Sequence, residues 1–197
     1  MNVLEIGRDA RAALAAAATW NVVMTFSRGE VVETDRGEIV WFDCDPEAFS
    51  PRGVLVDGTA AAPRAHRATV AYFPDFDTHV ARFLAALDSQ SIADAAPILL
   101  GLGPGLTPAG DDYLGGFVCT LHHLGRPALI DTTATHAISR ARLAMHLRGE
   151  GTRAEVRFVR ALVAGDDTID AEAALERHGH SSGHDFMRGA RAAWERR

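Results

Sequence analysis

The spacing of apolar residues switches once along this chain, and no other feature restricts its fold class so tightly. Up to residue 73 they fall in short β-branched and aromatic runs: "NVVMTFS" (21–27), "EVVETD" (30–35), "EIVWFD" (38–43), "GVLVDG" (53–58) and "ATVAYF" (68–73). Arg28-Gly29 and Arg36-Gly37 separate the first three, and short glycine-bearing gaps between such runs predict β-hairpins. Ahead of them Val3, Ile6, Ala10, Ala13, Leu14 and Ala17 recur at helical spacing in an Ala-rich segment, which predicts a helix over 3–18. From Asp77 onward the helical period takes over, in stripes such as Val80, Phe83, Leu84 and Leu87, then Tyr113, Leu114, Phe117, Val118 and Leu121, then Ile138, Ala141 and Met145. Strands first and helices afterwards make the fold α+β. The expected layout is a small, mostly antiparallel sheet with a flanking helix in residues 1–95, then a bundle of about five helices in residues 96–197, forming one compact unit.

Composition removes several functions. The formal charge is −6 and the arginines are spread along the chain, so no clustered positive surface is offered to a phosphodiester backbone. Every one of the 20 basic residues is Arg, which excludes Schiff-base chemistry and a phosphate-loop lysine. An anion must therefore be met by Arg, backbone N–H or a metal. The stretch around Glu5, Arg8, Asp9 and Arg11 is too charged for a secretory leader, and no run of about 20 apolar residues offers itself to a membrane. A cytoplasmic protein with free thiols at Cys44 and Cys119 is expected.

The segment "GLGPGLTPAGDDYLGGF" (101–117) interrupts this ordinary composition. It opens like a dinucleotide fingerprint, yet Leu106 stands where the third glycine is needed and no acidic residue follows at the end of a second strand. "GLTPAGDD" has the glycine spacing of a phosphate loop, but Asp111 and Asp112 replace its Lys and hydroxyl residue and would repel phosphate unless a cation intervened. Thr107 suits an N-cap and Pro108 a first helical position, which predicts a helix from Pro108 with both aspartates in its first turn. Carboxylates favour the positive end of a helix dipole, and that alone would explain one of them. Gly115 and Gly116 stand four residues later, where a side chain would normally lie over each carboxylate, so both acids are expected to be uncovered.

Near the C-terminus "GHDFMRG" (183–189) repeats "GDDYLGG" (110–116): Gly183 matches Gly110, Asp185 matches Asp112, Phe186 matches Tyr113 and Gly189 matches Gly116. Hydroxyls precede both copies, Thr107 in one and Ser181 and Ser182 in the other; Ser182 with Asp185 also fits a capping box. Two helix N-termini of this kind, facing each other, would form one polar site for a small anionic substrate. Its ligand would rest on Gly103, Gly105, Thr107, Gly110, Gly115, Gly116, Ser181, Ser182 and Gly183, or reach a divalent ion, Mg2+ or Mn2+, on Asp112 and Asp185. Asp111, or His184 at the matching position, would move a proton or orient the reactant. Arg28, Arg52 and Arg188 are candidate anion clamps. His178, His180 and His184 lack the regular ligand spacing of a zinc site.

The two glycine-aspartate segments, as "LGLGPGLTPAGDDYLGGF" and "HGHSSGHDFMRG", resemble the AllH-like family of bacterial proteins, and the strand-rich "FSRGEVVETDRGEIVWF" resembles its N-terminal region more loosely. The resemblance implies a subunit of oxamate carbamoyltransferase, joining carbamoyl phosphate, oxamate and oxalurate, in a homo-oligomer or beside companion subunits. The carbamoyltransferase phosphate signature Ser-Thr-Arg-Thr does not occur. Two other readings stay open: a metal-dependent hydrolase using the same acids, and a noncatalytic partner subunit whose glycine loop holds a ligand.

Overall fold

A computed structural model describes residues 2–26, 28–58, 75–105, 107–177 and 181–197. These divide into two compact units, residues 1–67 with 151–153 and residues 68–150 with 154–197. The fold is α+β, with a five-stranded N-terminal sheet and eight helices among the described residues.

In the first unit the strands are β1 (Val3–Ile6), β2 (Trp20–Phe26), β3 (Gly29–Thr34), β4 (Ile39–Asp43) and β5 (Gly53–Val56), with helix α1 (Arg8–Ala16) after β1. Spatial order is β1-β5-β4-β3-β2. The two glycine-bearing gaps are hairpins, since β2–β3 and β3–β4 pair antiparallel; β1–β5 is antiparallel and β4–β5 parallel. The helix expected over 3–18 is thus shorter, and its first residues form an edge strand instead. Edge pairing with Val56, Leu55 and Val54 satisfies backbone groups that a helix so close to its end would leave open. Ala10 and Ala13 of α1 close over Val32, Val40, Val54 and Val56 to make the small core of this unit. The run 68–73 lies outside the described residues.

The second unit holds α2 (Phe76–Ala86), the short α3 (Ile92–Ala95) continued by a 3-10 turn, α4 (Ala109–His123), α5 (Ala137–His146), α6 (Arg153–Ala164), α7 (Ile169–Glu176) and α8 (Ser182–Glu195). Five helices follow the glycine loop, as the apolar stripes require. α4 is the central one, buried without interruption from Gly110 to Leu121. One side meets α2, where the Phe83 ring stands edge-on to Tyr113 and Phe117 at centroid separations of 6.2 and 5.2 Å. The opposite side contributes Cys119 to a second cluster with Phe158, Leu175, Phe186 and Met187.

α4 and α8 cross in close contact, and the repeated motif makes this possible. A Cβ on Gly116 would stand 1.9 Å from the Phe186 carbonyl oxygen, and a Cβ on Gly189 would stand 1.9 Å from that of Tyr113. These are matching residues of the two copies, so the contact is reciprocal about a local twofold relation. The opening glycines correspond as well: a Cβ on Gly110 would meet the Leu99 carbonyl oxygen at 1.9 Å, and one on Gly183 that of Leu175 at 2.1 Å. Each helix therefore starts pressed against the end of the helical segment before it.

Backbone cannot yield as a flexible side chain would, so either glycine-to-alanine change must push the helices apart. Gly116→Ala and Gly189→Ala should each lower stability by roughly 1–3 kcal/mol or more, as overpacked sites do. Once one has separated the helices the second has less to disturb, so the double variant should be less destabilised than the two singles added, measured by urea denaturation.

Candidate functional site

The crossing brings the two motifs together at their N-terminal ends. Thr107 Oγ1 lies 3.2 Å from Ser182 Oγ, 75 residues away in sequence. Beneath this hydroxyl pair is Asp112, 3% exposed, whose carboxylate also accepts a hydrogen bond from Ser182. Asp185 is close enough for its charge to act on Asp112. Both aspartates occupy the same position in the first turn of their helices, four residues after Pro108 and Ser181 respectively.

The local expectations need three corrections. Pro108 caps α4 and the helix begins at Ala109; the Thr107 hydroxyl makes no cap and turns to Ser182 instead. The amides of this turn are largely occupied within the protein, since Gly110 N–H donates to Leu102 O at 2.9 Å and Asp111 N–H to Pro108 O at 2.9 Å. Nor do Gly115 and Gly116 leave space beside the acids: the Phe186 carbonyl fills the second gap, and the His146 ring fills the first, 2.4 Å from where a Gly115 Cβ would be. The glycines serve close packing, which the helical pattern alone could not distinguish from vacancy.

Adjacent in sequence, Asp111 and Asp112 do different things because successive helical residues point about 100° apart. Asp111 accepts the Gly101 N–H on Oδ1 at 2.7 Å and the Thr135 hydroxyl on Oδ2, tying the glycine loop to the segment before α5. Asp112 faces α5 and α6 instead. Arg142 Nη1 approaches its Oδ1 at 3.2 Å while Nη2 donates to Glu155 Oε1 at 2.6 Å, and His146 Nε2 meets Glu155 Oε2 at 3.2 Å. Asp112 Oδ2 is buried and makes no hydrogen bond of regular geometry.

Burial pushes the Asp112 carboxyl up to about 7, with Arg142 and the Ser182 hydroxyl opposing and Glu155 and Asp185 adding to the rise. The Asp185 carboxyl is also raised, again by burial first, against the pull of Arg188, His184 and Ser181. Burial disfavours the Arg142 charge, but Asp112 and Glu155 outweigh it and its pKa is raised. Arg142, His146, Glu155 and Thr135 were not singled out from the sequence. The only signals were Arg142 and His146 one helical turn apart and a lone Glu155 at the start of an amphipathic helix, each an ordinary surface pattern until burial is known.

Other expected residues lie farther out. His184 is exposed at the first turn of α8, its Nδ1 3.9 Å from Asp185 Oδ1, and Ser181 donates to Asp185. Arg188 reaches Asp185 at 3.8 Å and also pairs with Asp77. Gly103 and Gly105, with φ of 115° and 93°, shape the loop ahead of Thr107. Arg28 belongs to the N-terminal unit, where Asp43 and Asp45 hold it at 3.5 and 2.7 Å, and Arg52 pairs there with Glu38. His178 and His180 lie outside the described residues. Among the described residues no three His, Cys, Asp or Glu side chains converge as a metal site, so Asp112 and Asp185 have no such third ligand there. Among these residues, too, no helix is long and apolar enough to cross a membrane.

Fold and site together define an α+β protein whose helical unit encloses a polar cluster where two like helix N-termini meet. Residues 99–194 match the family described as oxamate carbamoyltransferase subunit AllH, which bears out the AllH-like resemblance over that segment. No solved structure matches the chain.

The two neighbouring aspartates should separate in a stability measurement. Asp111→Ala strands the buried Thr135 hydroxyl and the half-buried Gly101 N–H and should cost about 2–4 kcal/mol. Asp112 behaves oppositely: with its folded pKa above the ordinary value, the native state holds a proton that the unfolded chain releases, so stability falls as pH rises from about 4 to 7 and levels off above. Asp112→Asn removes that decline. It should match wild type in stability below about pH 4, exceed it by roughly 1–2 kcal/mol at pH 5 and by about 4 kcal/mol at pH 8, read from urea unfolding across this range.

Proposed function

We propose that this chain is a subunit of a carbamoyltransferase assembly acting on small anionic compounds of nitrogen metabolism, with oxamate, carbamoyl phosphate and oxalurate as reactants, and that Asp112 is its proton acceptor. The observation that carries this reading is Asp112 itself: a buried carboxylate with one unpartnered oxygen, set where both family motifs meet. The family description supports the reaction and the need for companion subunits.

The chemistry fits such a group. When the oxamate amide nitrogen attacks the carbamoyl carbon, a C–N bond forms, the bond from that carbon to the phosphate oxygen breaks, and its electron pair leaves with phosphate. The nitrogen must shed one proton, which Asp112 accepts and passes on. A carboxylate titrating near 7 is a stronger base than an ordinary one and is still substantially ionised at neutral pH. The Thr107 and Ser182 hydroxyls, half-buried above it, are placed to hold a reactant oxygen. Asp111, with both oxygens occupied by protein donors, shapes the loop. Asp185, Arg188 and His184 stand together in the first turns of α8, where Arg188, paired with Asp185 and Asp77, is the cation nearest to an anionic leaving group.

Closure of the site favours a second reading, in which the chain binds a reactant and a companion subunit performs the transfer: Asp112 is 3% exposed beneath the hydroxyl pair. One assay separates the two. Oxalurate formation should appear when the chain is combined with its companion subunits, rise with pH through about 7, and drop at least ~100-fold in Asp112→Asn without loss of assembly. Turnover by the variant within threefold of wild type would remove Asp112 from the chemistry and leave the binding reading.

A further inference from the structure

The guanidinium of Arg142 is shared unequally. It lies 2.6 Å from Glu155 and 3.2 Å from Asp112, so it leans toward the acid that the proposed chemistry does not use. Glu155 is held firmly enough to impose this. It is 2% exposed, one oxygen takes Arg142 and the other meets His146. His146 in turn is wedged into the space of the absent Gly115 side chain, its ring 5.1 Å from that of Phe186. A bidentate arginine-carboxylate pair is the arrangement such groups ordinarily adopt, and the lean toward Glu155 denies it to Asp112.

We propose that Glu155, gripped between Arg142 and His146, is a positioning residue that draws the guanidinium away from Asp112 and so leaves Asp112 Oδ2 free to take a proton from a reactant. This deepens the functional reading above and rests on it. The charged groups around Asp112 come from four helices, Asp111 on α4, Arg142 on α5, Glu155 on α6 and Asp185 on α8, with the titratable ring of His146 on α5 beyond Glu155. Asp111 is committed to Gly101 and Thr135, and Asp185 to Ser181, Arg188 and His184, so Glu155 is the acid that competes directly for Arg142. Removing its charge acts twice in one direction, since Glu155 no longer opposes ionisation of Asp112 and Arg142 is released to pair with it.

The test is a carboxyl 13C NMR titration of the isotopically labelled full chain, with the Asp112 signal assigned by its absence in Asp112→Asn. In Glu155→Gln the Asp112 midpoint should fall by roughly 1–3 pH units. Glu155→Asp keeps the charge but withdraws it by one methylene, and should give a smaller fall in the same direction while guarding against a variant that does not fold. An unmoved Asp112 midpoint in folded Glu155→Asp, or in folded Glu155→Gln, would overturn the proposal, because a merely structural residue changes stability and not this titration. The readout needs no turnover, so it can fail while Asp112→Asn still abolishes transfer, and it can hold while transfer is unaffected.

Discussion

Contact between two helix backbones without intervening side chains is the constraint on which the helical unit depends. Tyr113 and Phe186 carbonyls each occupy the place of a side chain that Gly189 and Gly116 lack. Because the glycines sit at matching positions after matching aspartates, a close crossing also aligns the helix starts. That alignment sets Thr107 against Ser182 and brings the charges of Asp112 and Asp185 within reach of each other. A wider crossing would leave the two motifs as separate helix caps. The packing and the polar site are therefore one arrangement seen at its middle and at its end.

The site itself works against stability. A carboxylate, a guanidinium and a second carboxylate are withdrawn from water together, and their mutual attraction does not fully restore what Asp112 loses, as its raised pKa records. Apolar residues of similar volume would pack this region at less expense. The adjacent Asp111 shows the contrasting use of the same side chain: two donors satisfy it, and it holds a loop in place. Asp185, equivalent to Asp112 by position, keeps a salt bridge toward the surface through Arg188. Two copies of one motif have thus been given unlike surroundings, Arg142 of α5 and Glu155 of α6 around Asp112, and His184 and Arg188 of its own helix beside Asp185.

Much of this was legible in the order of residues. The change from strand runs to helical stripes is a local property, since a β-strand and a helix each present apolar side chains at their own period, and it correctly gave an α+β chain with two hairpins at Gly29 and Gly37. The short edge strand Val3–Ile6 was missed because an Ala-rich neighbour favours helix and only pairing with β5 overrides it. Matching "GDDYLGG" to "GHDFMRG" anticipated that distant segments meet, since both end in a glycine that permits the same contact. It misjudged what fills the space: glycine says that something is close and does not say whether that is backbone, a histidine ring or a ligand.

By itself, then, the sequence determined the class of fold, the repeated motif and the pair of acids in its first turn, because these are written in spacings of a few residues along one element. Tertiary structure alone decided which acid serves as a tether and which stays buried with a free oxygen. It also decided that Arg142, His146 and Glu155 close around the second acid. Those outcomes depend on desolvation and on distances between charges from different helices, quantities that exist only once the helices have packed.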